Sequence, residues 1–388
     1  MSPPTLELLE KARHIGLETA GPHADQVDIR GRFPHEAVDA LKKHRLLGAG
    51  VPSEFGGLGA GMSQLAAVCE TLGRYCASTA MIYAMHLIQV ACMDRHRAAS
   101  PFFARYLVEV AEKQVLIGSV TSEATVGGEL RTSVAGVEHR GNRVAITKNA
   151  TTISYGAQAD ALLLTARRSP EAPANDQVLV LLQRNDYSLE EVGTWDTLGM
   201  RGTCSPGFRV VADAPEDQVL DAPFADIASH TMVPFSHILW SSCWLGIATA
   251  ALGRAHEFVR QQARAKPGTV PPAALRLAEA SNLLQVMRTN VHDVAQECEG
   301  LMQGGARVDA LSSIPFALKM NNLKISSSQL VVQIVHQALL ICGIAAYKND
   351  SAFALGRHLR DALSAALMVG NDRIYAANAS MLLVLKDD

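Results

Sequence analysis

The chain has 388 residues, of which 48% are hydrophobic, and a formal net charge of −3. That is enough apolar chain for two or three layers around a shared core. Acids and bases are interspersed with no basic stripe, which argues against a nucleic-acid footprint.

Residues 1 to about 113 read as helical. Leu6, Leu8 and Leu9 begin an amphipathic pattern, and Ala37, Leu41, Leu46 and Leu47 continue it at helical spacing. Val51 to Gly59 is a Pro/Gly loop between helices. Leu65 to Met93 is a long apolar run broken by Arg74, Ser78 and His86, as suits buried packed helices. From about 114 to 222 the pattern changes to short β-forming runs, such as Ala161–Ala166 and Val178–Leu182, with turns between them. That reads as a small barrel or sandwich. From 223 to 388 helical periodicity returns, over 237–253, 254–265, 272–298, 315–345 and 351–385. The segment Pro315 to Ala345 is apolar round most of its circumference, as in a bundle shared between subunits. Seven scattered cysteines lack any metal-ligand or CxxC spacing. They read as buried thiols of a reducing compartment, with no metal site. No secretory signal and no run of ~18 uninterrupted apolar residues is visible, so the expectation is a soluble cytoplasmic protein.

The stretch TWDTLGMRGTCSPGFRVV, Thr194 to Val211, is a loop that turns into a strand. Gly199, Gly202 and Gly207 let its backbone bend or approach another group. Arg201 either pins this loop or meets an anionic ligand. The polar loop after Val120, with Thr121, Ser122, Gly127 and Gly128, offers hydroxyls and backbone N–H groups to a polar heterocycle.

These segments resemble the acyl-CoA dehydrogenase superfamily. The resemblance is carried by VPSEFGGLGAG, ETLGRYCASTAMIYAMH, the LGMRGT segment and RHLRD, and it covers nearly the whole chain. It implies an α+β, acyl-CoA dehydrogenase-like fold: a helical domain over 1–113, a central β-domain over 114–222 and a helical bundle over 223–388. It implies FAD, an acyl thioester substrate on CoA or a carrier protein, and a homotetramer or homodimer. Thr121 falls at the family's flavin-facing threonine and Ser154 at a second flavin contact. Thr152 stands where a Trp usually covers the flavin. Gly343 falls in the family's glycine turn against the cofactor, here Cys342-Gly343-Ile344-Ala345.

The resemblance also marks a loss. The family's catalytic Glu, which removes the substrate α-proton, aligns with Val369, next to Gly370 in the substrate-facing loop. Val cannot take a proton. The place where some relatives carry the Glu on the first bundle helix aligns with Cys243. Candidate replacements are Asp372 and Cys243, and His86 is a candidate polar group in the pocket of an oxygenase. Three readings follow: an atypical dehydrogenase, served by an electron-transfer partner; a flavin-dependent oxygenase using O2 and a flavin reductase; and a non-catalytic paralogue.

Overall fold

The computed structural model describes residues 3–98, 100–124, 129–303 and 308–386. Six helices come first: α1 (Pro3–Ile15), α2 (Gly21–Arg30), α3 (His35–Lys43), α4 (Met62–Gly73), α5 (Ala77–His96) and α6 (Pro101–Lys113). Every residue of α5 from Ala77 to Met93 except Met85 is buried. A helix that is apolar on all sides belongs in the middle of a core. α5 lies there, against α4, the bundle and the first strand.

Eight strands follow: β1 (Ile117–Val120), β2 (Glu138–Arg140), β3 (Arg143–Ala150), β4 (Ala161–Arg167), β5 (Gln177–Gln183), β6 (Tyr187–Glu191), β7 (Phe208–Pro215) and β8 (Val219–Leu220). They form two four-stranded sheets, ordered β1-β4-β5-β8 and β2-β3-β7-β6. β4 and β5 are buried at every position but the last, as their unbroken apolar sequence demands. β7 alternates buried and exposed along its length, so the second sheet has one wet face. β1 pairs in parallel with β4, while the other ladders are antiparallel.

The remaining chain is helical: α7 (Phe224–Ile227), α8 (Val233–Ala265), α9 (Ala274–Gln303), α10 (Val308–Leu311), α11 (Ile314–Cys342), α12 (Ile344–Tyr347), α13 (Gly356–Leu363) and α14 (Asn371–Leu382). Two sequence expectations change here. The segments 237–253 and 254–265 are one helix, because nothing crowds Gly253 and its backbone stays helical. The stretch 351–385 is not one helix. It breaks into α13, a 3₁₀ turn and α14 around Val369 and Gly370. Phe224–Ala265 and Ile314–Cys342 are apolar and long enough to cross a bilayer by composition alone. The most apolar window of the first is 83% buried inside the protein, as befits a core helix.

α4 and α8 cross backbone to backbone. A Cβ on Gly73 would lie 2.6 Å from the Cys243 carbonyl oxygen, and one on Gly246 would lie 2.3 Å from that of Glu70. Both glycines are therefore required by the approach.

Candidate active site

A cleft of about 740 Å³ opens where the three parts meet. One wall is polar: Ser119, Thr121, Ser122, Thr151, Thr152 and Ser154, with Thr203 and Ser205 beside them. The rest of the lining is largely apolar and sulfur-rich: Met81, Met85 and Ile88 from α5, Met232 and Trp240 from α8 and the turn before it, and Trp195, Met200 and Met368. Val369, Gly370 and Arg373 close one end.

The polar wall is built from the loops after β1 and β3. The Ser122 hydroxyl donates to the Thr152 carbonyl at 2.7 Å and accepts from the Thr152 N–H at 3.2 Å. This pair ties the two loops together. Ser154 ends a hydroxyl chain: Thr203 donates to the Met200 carbonyl at 2.8 Å, Ser205 sits 2.9 Å from Thr203, and Ser205 donates to Ser154 at 2.9 Å. The Thr121 hydroxyl bonds to no described residue. Beneath the wall, Lys148 is fully buried and Glu123 nearly so, with an N–O distance of 3.6 Å. Glu123 also accepts from Ser133, Val134 N–H and Ala135 N–H at 2.7–3.1 Å. Lys148 donates to the Thr165 carbonyl at 2.6 Å and to its hydroxyl at 2.8 Å. Burial pushes the Lys148 ammonium down to about 8, against the pull of Glu123.

The loop carrying Met200 is clamped from above. Asp361 of α13 accepts from the Met200 N–H at 2.7 Å, and a Cβ on Gly199 would strike the Arg360 carbonyl. Trp195 donates to the Met200 carbonyl at 3.2 Å. These bonds hold Met200 at φ 52° on the cleft wall.

Thr121, Ser122, Thr152, Ser154, Val369 and Gly370 all line the cleft. Gly127 and Gly128 lie outside the described residues. Four other candidates, Arg201, His86, Cys243 and Asp372, do not line the cleft. Arg201 points away: its guanidinium bonds the Asp28 carbonyl at 2.8 Å, Asp196 at 2.8 Å and the Thr197 carbonyl at 2.7 Å, so it pins the loop. His86 is a satisfied core residue, bonded to the Leu47 carbonyl at 2.7 Å and accepting from the Ile117 N–H at 3.1 Å. Cys243 is fully buried at the α4 crossing. Asp372 is exposed in the first turn of α14 and faces water. Gly343 lies at the end of α11, exposed and outside the cleft of its own chain, with φ 57°.

Sequence reasoning missed His237. It lies on the α8 face of the cleft, and its Nδ1 is 3.1 Å from the Met320 carbonyl. A carbonyl only accepts, so Nδ1 carries the proton. Burial, opposed by that bond, pushes the imidazole down to about 4. His237 is then neutral near pH 7, with a lone pair on Nε2. A lone His in an apolar helix gave no sequence signal for this. Among the described residues, no Asp or Glu lines the cleft.

His86 and His237, with His96, which burial also pushes down to about 4, weigh most on the acid behaviour of the fold. Burial holds all three below the ordinary 6.5. Between those values the unfolded chain binds three protons that the folded chain refuses. Asp361, raised by burial to about 6 from 3.8, opposes this by one proton between those values. His358, pushed well below its ordinary range by burial beside Arg357 and Arg254, adds to the histidine side. Stability should therefore fall as pH drops from 6.5 to 4, by about 1.4 kcal/mol or more per pH unit. Urea unfolding at pH 7 and pH 5 checks this; equal stabilities would refute it.

The cleft suits a flavin ring. Its edge carries donors and acceptors that the hydroxyl wall can meet, and its faces are apolar, like the rest of the lining. The acyl-CoA dehydrogenase N-terminal domain family matches residues 2–112, and the C-terminal domain family matches residues 229–381. The cyclohex-1-ene-1-carbonyl-CoA dehydrogenase of Geobacter metallireducens is 23% identical over 376 residues, 94% of each chain. The dibenzothiophene monooxygenase TdsC of Paenibacillus sp. A11-2 superposes with a TM-score of 0.81 at 21% identity, over 97% of both chains. Butyryl-CoA dehydrogenase of Megasphaera elsdenii superposes with a TM-score of 0.83 at 18% identity, over 99% of both chains. The chain belongs to the acyl-CoA dehydrogenase family of flavin-dependent oxidoreductases.

Proposed function

We propose that the cleft holds FAD against its hydroxyl wall and that the enzyme works as an oxygenase, using reduced flavin and O2 on a small organic substrate. One observation carries this reading: no carboxylate among the described residues lines the cleft, and Val369 is part of its wall. Dehydrogenation needs a group that takes the α-proton as hydride leaves. Oxygenation does not. Bound flavin would supply the hydride or electron chemistry. Thr121, Ser122, Thr152 and Ser154 would orient its edge, and the methionine wall would keep water out. His237 Nε2 would accept a hydrogen bond or a proton from the substrate. A separate flavin reductase would supply the electrons.

A second reading is dehydrogenation of an acyl thioester, on CoA or a carrier protein, with an electron-transfer partner. The dehydrogenase relative named above and the free lone pair of His237 favour it. FAD over FMN is supported by the full set of helices from α8 to α14, which leaves room for an adenosine half. A homotetramer, or a homodimer, is supported by α11, whose most apolar window is only 50% buried. A cytoplasmic location is supported by seven cysteines that are all free.

The test is to reduce the holoenzyme with a flavin reductase and NADH, then admit ¹⁸O2 with candidate thioesters and ring compounds. One labelled oxygen atom in a product supports the oxygenase. Flavin reduction by an acyl thioester alone would overturn it. Thr121→Val and Ser154→Val should each loosen flavin retention by about 1 kcal/mol, the net worth of one neutral hydrogen bond. Unchanged flavin occupancy in both variants removes them from the site.

A further inference from the structure

Val369 has φ 47°, and it is the one β-branched residue among the described non-glycine residues in the left-handed region. That conformation crowds a branched Cβ, and glycine or asparagine is the usual occupant. The glycine here comes one residue later. Gly370 has φ −40°, which needs no glycine, and a Cβ added there would meet nothing within 4 Å. Both residues line the cleft. The chain thus keeps a bulky side chain where the backbone resists it and omits one where there is space. Strain held at a cleft wall points to a role there.

A dedicated residue holds this arrangement. Lys324 of α11 is fully buried and has no carboxylate within 4.0 Å among the described residues. Its Nζ donates to the Val369 carbonyl at 3.1 Å and to Asn371 Oδ1 at 2.7 Å. Asn371 in turn donates to the Ser328 hydroxyl at 3.0 Å. Burial pushes the ammonium down to about 8. The cation therefore grips the two sides of Gly370 and fixes the turn.

We propose that Val369 is a specificity-determining wall residue and Lys324 its positioning residue. Together they set a fixed bulk beside an open notch at Gly370. The cleft then admits an unbranched substrate chain at this point and refuses a branched one. The inference rests on the reading of the cleft as the flavin and substrate site.

The test uses holoenzyme, with butyryl-CoA and isovaleryl-CoA as probes, read by their perturbation of the oxidised flavin spectrum. Wild type should bind the unbranched probe about tenfold or more tightly, the usual worth of a small apolar group in a shaped pocket. Val369→Gly should raise the melting temperature and bring the two affinities within about twofold. Lys324→Met should lower the melting temperature and also erode the ratio. An unchanged ratio in Val369→Gly, even with a higher melting temperature, would overturn the proposal, because strain relief alone would give that result. If neither thioester perturbs the flavin in any variant, the thioester reading falls and sulfite decides. Sulfite is small and bleaches accessible flavin. Val369→Gly should then bleach about tenfold faster than wild type, and equal rates would overturn the proposal.

Discussion

Lys148→Met should destabilise the protein by about 3–5 kcal/mol and release the flavin-side loop. The expectation follows from what remains. Lys148 is fully buried, and Glu123, its ionic partner, is only 6% exposed. Removing one partner of a buried pair leaves an uncompensated charge, and that penalty sets the size of the effect. The Thr165 carbonyl also loses its ammonium donor. Glu123 keeps its three bonds to the 133–135 segment, so the damage falls on the joint between that segment, β3 and the loop at Thr121. Lys148→Met with Glu123→Gln should recover only part of the loss: the stranded charge is gone, but the amide NH2 then faces the Val134 or the Ala135 N–H. Chemical unfolding of both variants checks this, with flavin content as the second readout. A single variant within about 1 kcal/mol of wild type would show the pair to be dispensable.

The second large effect is a gain. Val369→Glu should let simple saturated acyl-CoAs reduce the flavin at a measurable rate, where wild type should be very slow. Val369 is 45% exposed and lines the cleft, so a carboxylate there reaches the cavity. Glu is unbranched at Cβ and suits φ 47° better than Val. The apolar lining of the cleft would raise its pKa toward working pH. A positioned base is typically worth ~10²–10⁴-fold. Anaerobic bleaching rates of the folded variant and wild type, with butyryl-CoA, give the ratio. A folded, flavin-loaded variant no faster than wild type would mean that Val369 does not face the reacting carbon.

Much of the fold was legible because its signals are local. The apolar runs of β4 and β5, the Pro/Gly loop after Val51 and the all-round apolar α5 each declare burial without reference to partners. Part of the polar wall was legible for the same reason: Thr121 and Ser122 sit in a polar loop that follows a strand, whereas Thr152 and Ser154 came only from the family resemblance. The catalytic candidates failed because their roles depend on distant contacts. His86 interrupts an apolar helix, but the groups that satisfy it belong to Leu47 and Ile117. Cys243 lies seven residues after Ser236, which does line the cleft. Two helical turns keep the same face but advance about 10 Å, far enough to carry Cys243 past the cleft to the α4 crossing. Val369 was read only as an absent base. Its strain is a property of φ, and nothing in the sequence but the displaced glycine at Gly370 marks it.

Among the described residues, this cleft lacks the carboxylate that begins acyl-CoA dehydrogenation. The most direct test is anaerobic stopped-flow mixing of wild-type holoenzyme with butyryl-, octanoyl- and isovaleryl-CoA, followed by the flavin absorbance. The flavin should stay oxidised with all three over minutes, yet bleach fully when a flavin reductase and NADH are added. Rapid bleaching by any one of these thioesters alone would show that a base is present, and would contradict the account.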